Sequence, residues 1–142
     1  MVINDIKIKQ KFNMAKDYIT LINSILELSL EEYLDNFENQ VLAERSFEVL
    51  TQIILDVCTH IIAMSGISAP SSYSDCIIKL ASLKILENDE SIKYSKLIGM
   101  RNIIVHQYNT INHSLLYESL SILLHDFNNF QFKILKWLEK NK

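Results

Sequence analysis

The stretch LIGMRNIIVHQY places Arg101, Asn102, His106 and Tyr108 close together in the chain. An imidazole titrates near neutral pH and suits general acid or base work, while a guanidinium fork can hold two phosphate oxygens at once. Together they match what cleavage of a phosphodiester demands: a group that moves protons and a cation facing the charge that grows on the phosphate. No carboxylate cluster is required. Asn102, one helical turn before His106, is placed to orient the ring. Each residue also has a plainer reading. Arg101 reads as a surface or ion-pair residue, and His106 as a partner of a helix C-terminus or a satisfied core histidine. Asn102 reads as a surface amide, and Tyr108 as an anchor that packs the helix end through its ring and one hydrogen bond.

The helix that must carry these residues is expected to start near Asp89 to Ser91 and to end around His106 to Asn109. At 100° per residue Arg101 and His106 stand about 140° apart on it, so one helix cannot easily close both on a single phosphate. Gly99, Asn102 and His106 share a narrow face, and the glycine would let a second backbone approach closely. That face reads as built for a partner protomer, whose symmetry would bring two histidines and two arginines around one cleft. Tyr108 lies about 20° from Arg101 if the helix continues, on the same stripe. Lys93 and Lys96, just upstream, add local positive charge that would suit RNA or simply face solvent.

The full string of Arg, four residues, His, one residue and Tyr resembles the R-x4-H-x-Y signature of HepT-type toxins of the HEPN superfamily. The segment ERSFEVLTQIILDVCTHII is similar to that family's second helix, and the loop from Gly66 to Tyr73 falls where the family has its own, so the likeness covers nearly the whole chain. The resemblance implies an all-helical, dimeric endoribonuclease that needs no metal and no cofactor, with Arg101 and His106 catalytic and Asn102 supporting. It further implies a toxin of a type VII toxin–antitoxin system whose partner, a minimal nucleotidyltransferase antitoxin of the MntA type, uses ATP to attach AMP to the Tyr108 hydroxyl. Cleavage by the 2′-hydroxyl would leave a cyclic phosphate. The alternative is a non-catalytic helical subunit that only docks a nucleotidyltransferase.

Hydrophobic periodicity supplies the scaffold. Ile8, Phe12, Ala15, Ile19, Ile22 and Leu26 recur in steps of three and four, which predicts a first helix from about Ile3 to Leu28. A polar connector follows, in which Tyr33, Leu34 and Phe37 are expected to tuck one extra turn against the bundle. Ala43, Phe47, Leu50, Ile54, Val57, Ile61 and Met64 mark a second long helix stopping near Gly66, the residue that most easily takes a left-handed C-cap. Ser72 with Asp75 caps a shorter helix through Ile77, Leu80 and Leu83. The fourth helix should turn Leu97, Met100, Ile103 and Ile104 inward, and the last runs Leu116, Leu120, Leu123, Phe127, Phe130, Ile134 and Trp137 at the same rhythm. The aromatics of that stripe fit a core better than a base-stacking platform. The fold class is therefore all-α, an up-and-down antiparallel bundle of four to five helices forming one domain over residues 1–142.

Composition agrees. With 142 residues, 49% hydrophobic and 22% charged, the chain can bury a core without disulfides, and 2 Gly and 1 Pro leave little turn chemistry for a many-stranded sheet. A net charge of −3 gives no overall basic field, so any contact with RNA must be local. Only Arg45 and Arg101 are arginines among 14 cationic residues. Cys58 and Cys76 form no C-x-x-C pair, and Cys58, in the apolar run VCTHII, reads as a reduced, buried thiol that suits a reducing cytosol. No signal peptide is apparent, no stretch reads as long and apolar enough to span a bilayer, and a cytoplasmic location is expected. Asp56 and His60 are spaced for a helix-face pair, and no combination of His60, His106, His113, His125 and Cys58 shows metal-ligand spacing.

Overall fold

The computed structural model describes residues 5–106 and 111–141, and of positions 102 and 104–106 the backbone alone. Among the described residues the chain forms six helices: α1 (Asp5–Leu26), α2 (Leu30–Leu34), α3 (Phe37–Met64), α4 (Tyr73–Ser82), α5 (Asn88–His106) and α6 (His113–Lys140). The all-α bundle is thus as expected, with the connector forming a one-turn helix of its own. Tyr117 closes part of the α2 side by donating from its hydroxyl to the Leu28 carbonyl at 2.5 Å.

α3 is the centre of the bundle and touches all five other helices. Its buried positions, Phe47, Leu50, Ile54, Val57 and Ile61 among them, extend around more of the helix than one stripe, as a helix packed on several sides requires. The buried Ser46 and Thr51 hydroxyls each donate to the carbonyl four residues back, which satisfies them without a side-chain partner. By length and composition α3 is apolar enough to cross a membrane, contrary to expectation. Yet 56% of its most apolar window is enclosed by the other helices, and that apolarity is spent on the core.

The helix ends follow local chemistry. Ser29 and Glu32 form a reciprocal capping box ahead of α2, and Asn36, Ser72 and Asn112 each accept a backbone N–H at the start of α3, α4 and α6. α3 stops at Gly66, whose φ of 73° is the left-handed conformation anticipated there. α4 ends the same way at Lys84, with φ 62°. The Lys84 amide donates to the Ala81 carbonyl and that of Ile85 reaches back to Leu80, while the Ile85 side chain is buried. Lysine here occupies the position that glycine ordinarily fills. Three residues expected inside are not: Leu34, at the end of α2, is 41% exposed, Phe37, at the first turn of α3, is 78% exposed, and Ile103, on the outer side of α5, is 54% exposed.

Candidate active site

Arg101 projects from α5 toward α3 and α4 and is buried, with 8% of its surface exposed. Its Nη2 donates to Gln52 Oε1 at 2.7 Å, Gln52 Nε2 donates to Asp56 Oδ1 at 2.9 Å, and Lys11 Nζ donates to Asp56 Oδ2 at 3.1 Å. A line of polar contacts therefore runs from α1 through α3 to α5. On its other side the guanidinium carbon lies 5.9 Å from the centre of the Tyr73 ring, at the start of α4. Three helices fix the arginine, and none of these contacts cancels its charge.

That last point sets the chemistry. An amide partner holds a guanidinium in place but leaves its positive charge available, whereas a carboxylate would neutralise it. The nearest carboxylate in the relay, Asp56, is occupied by Lys11 at its far end. Arg101 Nε is buried and has no hydrogen-bond partner among the described residues, an arrangement costly enough to suggest a ligand as the missing acceptor. The expected pairing of Asp56 with His60 is replaced by this relay. Asp56 turns to Lys11 and Gln52, and His60 Nε2 is buried without a partner among the described residues.

Of the other predicted site residues, Asn102 and His106 are placed by backbone only: α5 continues through both, which keeps the Arg101 and His106 positions about 140° apart on the helix. Tyr108 lies outside the described residues. Among the described residues a side chain at Gly99 would meet nothing within 4 Å, so they leave this side of α5 open, and Ile92 and Ile103 are also exposed. Lys93 and Lys96, with His125 across from them on α6, line a cleft of about 530 Å³ floored by Leu97 and Met100. Among the described residues no three His, Cys, Asp or Glu side chains converge as a metal site.

Sequence reasoning missed Gln52 and Tyr73, which are remote from the motif in the chain. A signal for the first was present. Gln52 and Asp56 are polar residues one turn apart that bracket the apolar run Ile53 to Leu55 of α3, a pattern that fits a polar relay. A second cluster was also missed: His113, weighed only as a metal ligand, accepts or donates at Nδ1 to the Tyr33 hydroxyl at 3.0 Å, and its Nε2 faces Glu44 Oε1 at 3.5 Å. Burial, reinforced by the Glu44 charge, pushes the Tyr33 phenol above its ordinary range. This cluster fixes the start of α6, directly after the segment that holds Tyr108.

A family profile described as ribonuclease HepT-like matches residues 15–134. The chain belongs to the HepT-like ribonuclease family. Among its relatives, the tRNA nuclease HepT of Aphanizomenon flos-aquae is 26% identical over 127 residues, which cover 88% of this chain and 85% of that protein. The fold is shared with solved HEPN toxins. A tri-AMPylated HEPN toxin of Shewanella oneidensis, in complex with its MNT antitoxin, superposes with a TM-score of 0.82 at 23% identity, covering 91% of this chain and 96% of its own. A mutant MntA–HpeT toxin–antitoxin structure does so with a TM-score of 0.81 at 25% identity, covering 94% and 99%.

Proposed function

We propose that the chain is a metal-independent endoribonuclease, the toxin of a type VII toxin–antitoxin pair, acting as a cytoplasmic homodimer of one HEPN domain spanning residues 1–142. The observation that carries this reading is Arg101, buried and gripped by a neutral amide, with an Nε that lacks an acceptor among the described residues. Membership of a ribonuclease family and the nuclease name of a relative support the reaction class.

In the proposed reaction the 2′-hydroxyl of the RNA attacks the adjacent phosphorus. Its proton passes to a base, the 2′-oxygen to phosphorus bond forms, and the bond to the 5′-oxygen breaks as that oxygen takes up a proton. The products are a 2′,3′-cyclic phosphate and a free 5′-hydroxyl. His106 is the group that moves protons, Asn102 orients its ring, and Arg101 faces the phosphate oxygens. The wide angle between Arg101 and His106 on α5 favours a cleft shared by two protomers, and the open Gly99 face supports close approach of a second α5. Lys93 and Lys96 give the RNA backbone a local cationic approach.

The proposed control is transfer of AMP from ATP to the Tyr108 hydroxyl by a nucleotidyltransferase antitoxin. The adenylyl phosphate would bring negative charge and bulk beside the cleft and compete for Arg101. The deciding experiment compares wild type, Arg101→Ala and His106→Ala on RNA with excess chelator present. Each variant should stay folded and lose at least about a hundredfold in rate. Full activity in either variant, or activity abolished by chelator, rejects the mechanism, and a wild type that cleaves no RNA favours the docking-subunit alternative. Co-expression with the antitoxin and intact-mass measurement tests the control: wild type should gain AMP mass and Tyr108→Phe should not.

A further inference from the structure

The cleft between α5 and α6 contains a charge that packing alone does not explain. Asp126 of α6 is one of its lining residues, yet only 6% of its surface is exposed. Among the described residues its carboxylate accepts no hydrogen bond and joins no ion pair. Burial raises its carboxyl above the ordinary value, and the charges of His125 and Lys93 offset only part of that cost. A buried carboxylate without a partner weakens a fold, so its place beside a cavity calls for a ligand that donates to it.

The rest of the lining restricts what that ligand is. Leu97, Met100 and Ile122 give the cleft an apolar floor and wall, while Lys93, Lys96 and His125 stand exposed around it. Neither lysine forms an ion pair among the described residues. A cationic ligand would meet two ammonium groups, and a plain anion would leave Asp126 unanswered and repelled. The occupant must therefore carry a donor edge, a flat or apolar body and a negative group. A cleft of about 530 Å³ falls within the roughly 300–1,000 Å³ of small-molecule sites, with room for a nucleotide.

We propose that this cleft is a guanosine phosphate pocket, in which the Asp126 carboxylate accepts from the guanine N1–H and 2-amino groups while Lys93, Lys96 and His125 hold the phosphate. Guanine is the base that presents two adjacent donors on its Watson–Crick edge, the pattern that the two oxygens of a carboxylate accept together. Adenine and cytosine place a ring acceptor beside their amino group, and uracil sets its one N–H between two carbonyls, so each would turn a lone pair toward Asp126. The base lies on Leu97 and Ile122, and the ammonium groups pair with phosphate oxygens. Met100, at one end of the cleft, directly precedes Arg101 and is about 9 Å from His106 along the α5 axis. The pocket is therefore placed to read a guanosine near the scissile phosphate. That use rests on the ribonuclease reading, whereas binding of the free nucleotide does not.

Calorimetric titration of the intact protein with GMP, IMP, AMP and inorganic phosphate is the test. GMP should bind most tightly, and IMP, which lacks only the 2-amino group, at least about fivefold more weakly, with AMP and phosphate weaker still. Asp126→Asn should weaken GMP at least about tenfold without weakening AMP, and Lys93→Ala should weaken GMP but not guanosine. Equal affinities for GMP and AMP, no binding of GMP at millimolar concentration, or GMP binding unchanged in Asp126→Asn would overturn the proposal. The comparison of nucleotides on wild type needs no variant to fold. Short single-stranded RNAs with inosine in place of guanosine separate the two sources of the ligand: slower cleavage assigns the pocket to RNA, and equal cleavage assigns it to the free nucleotide. Selective GMP binding by a protein that never cleaves RNA counts against the ribonuclease reading alone.

Discussion

Two polar corners of the bundle are built from the same materials and differ in how they are finished. Around Tyr33, His113 and Glu44, at the junction of α2, α3 and α6, an acid, an imidazole and a phenol face one another in sequence, and the Tyr33 ring packs against Tyr117. Around Arg101, at the junction of α3, α4 and α5, the cation is held by an amide and a ring, and its Nε has no partner among the described residues. The first corner is what a fold does with buried polarity when only stability is at stake: each group meets its complement. The second keeps charge in reserve. The difference argues that a buried arginine with no carboxylate partner among the described residues, more than a buried tyrosine–histidine pair, marks a place prepared for something absent from the folded chain.

The contrast predicts opposite outcomes from truncation. Tyr33→Ala should cost about 3–5 kcal/mol in urea unfolding, because it empties a fully buried aromatic site and strands His113. Arg101→Ala should reduce RNA cleavage at least about a hundredfold yet leave the unfolding midpoint far less changed than Tyr33→Ala does. If Arg101→Ala unfolds the protein as readily, the two corners are alike and the arginine is structural.

Finishing the second corner like the first sharpens the comparison. Gln52→Glu places a carboxylate against the Arg101 guanidinium, at the cost of the amide donor to Asp56, and should lower cleavage roughly tenfold, since the compensated charge no longer serves a phosphate. Equal cleavage in Gln52→Glu would mean that the charge of Arg101 is not what the site uses.

A third polar cluster tests the idea by pH. Burial disfavours the Glu90 carboxylate, but the Glu87 backbone amide, the Asn129 amide and Lys133 outweigh it and hold its pKa below the ordinary value. Its contribution to stability is therefore present above the unfolded-state pKa and lost as pH falls through the lower folded-state value. Between pH about 6 and 3, wild type should lose more of its unfolding midpoint than Glu90→Gln does, without any change in the cleft chemistry. The smallest effect belongs to the α4 end: Lys84→Gly, at φ 62°, should stabilise by about 0.5–1 kcal/mol in the same unfolding assay.

The long helices were legible because burial repeats at their period. Phe12, Phe47, Leu50, Phe127 and Phe130 all lie in the core where the pattern put them. Patterns failed at helix ends and outer faces, where one apolar residue does not fix its own environment: Phe37 and Ile103 fit the register yet face outward. The motif located Arg101, but nothing in its neighbourhood could name Gln52 or Tyr73, because those contacts arise from how α3 and α4 cross α5. The pairing of Asp56 with His60 failed for a related reason: spacing on one helix ignores a better partner, Lys11, offered by another.

The placement of α3 also bears on how the chain is made. Its apolar sequence is complete by Met64, whereas α6, which covers one side of it, ends only at Lys140. At a synthesis rate of about 5–20 residues per second that cover arrives roughly 4–15 s later. When α3 is complete, α1 is the long helix already available to shield it, and α4 and α5 follow before α6. The residues that make α3 the keystone of the finished bundle therefore make the nascent chain sticky, and chaperone capture on the ribosome should concentrate on Phe47 to Ile62.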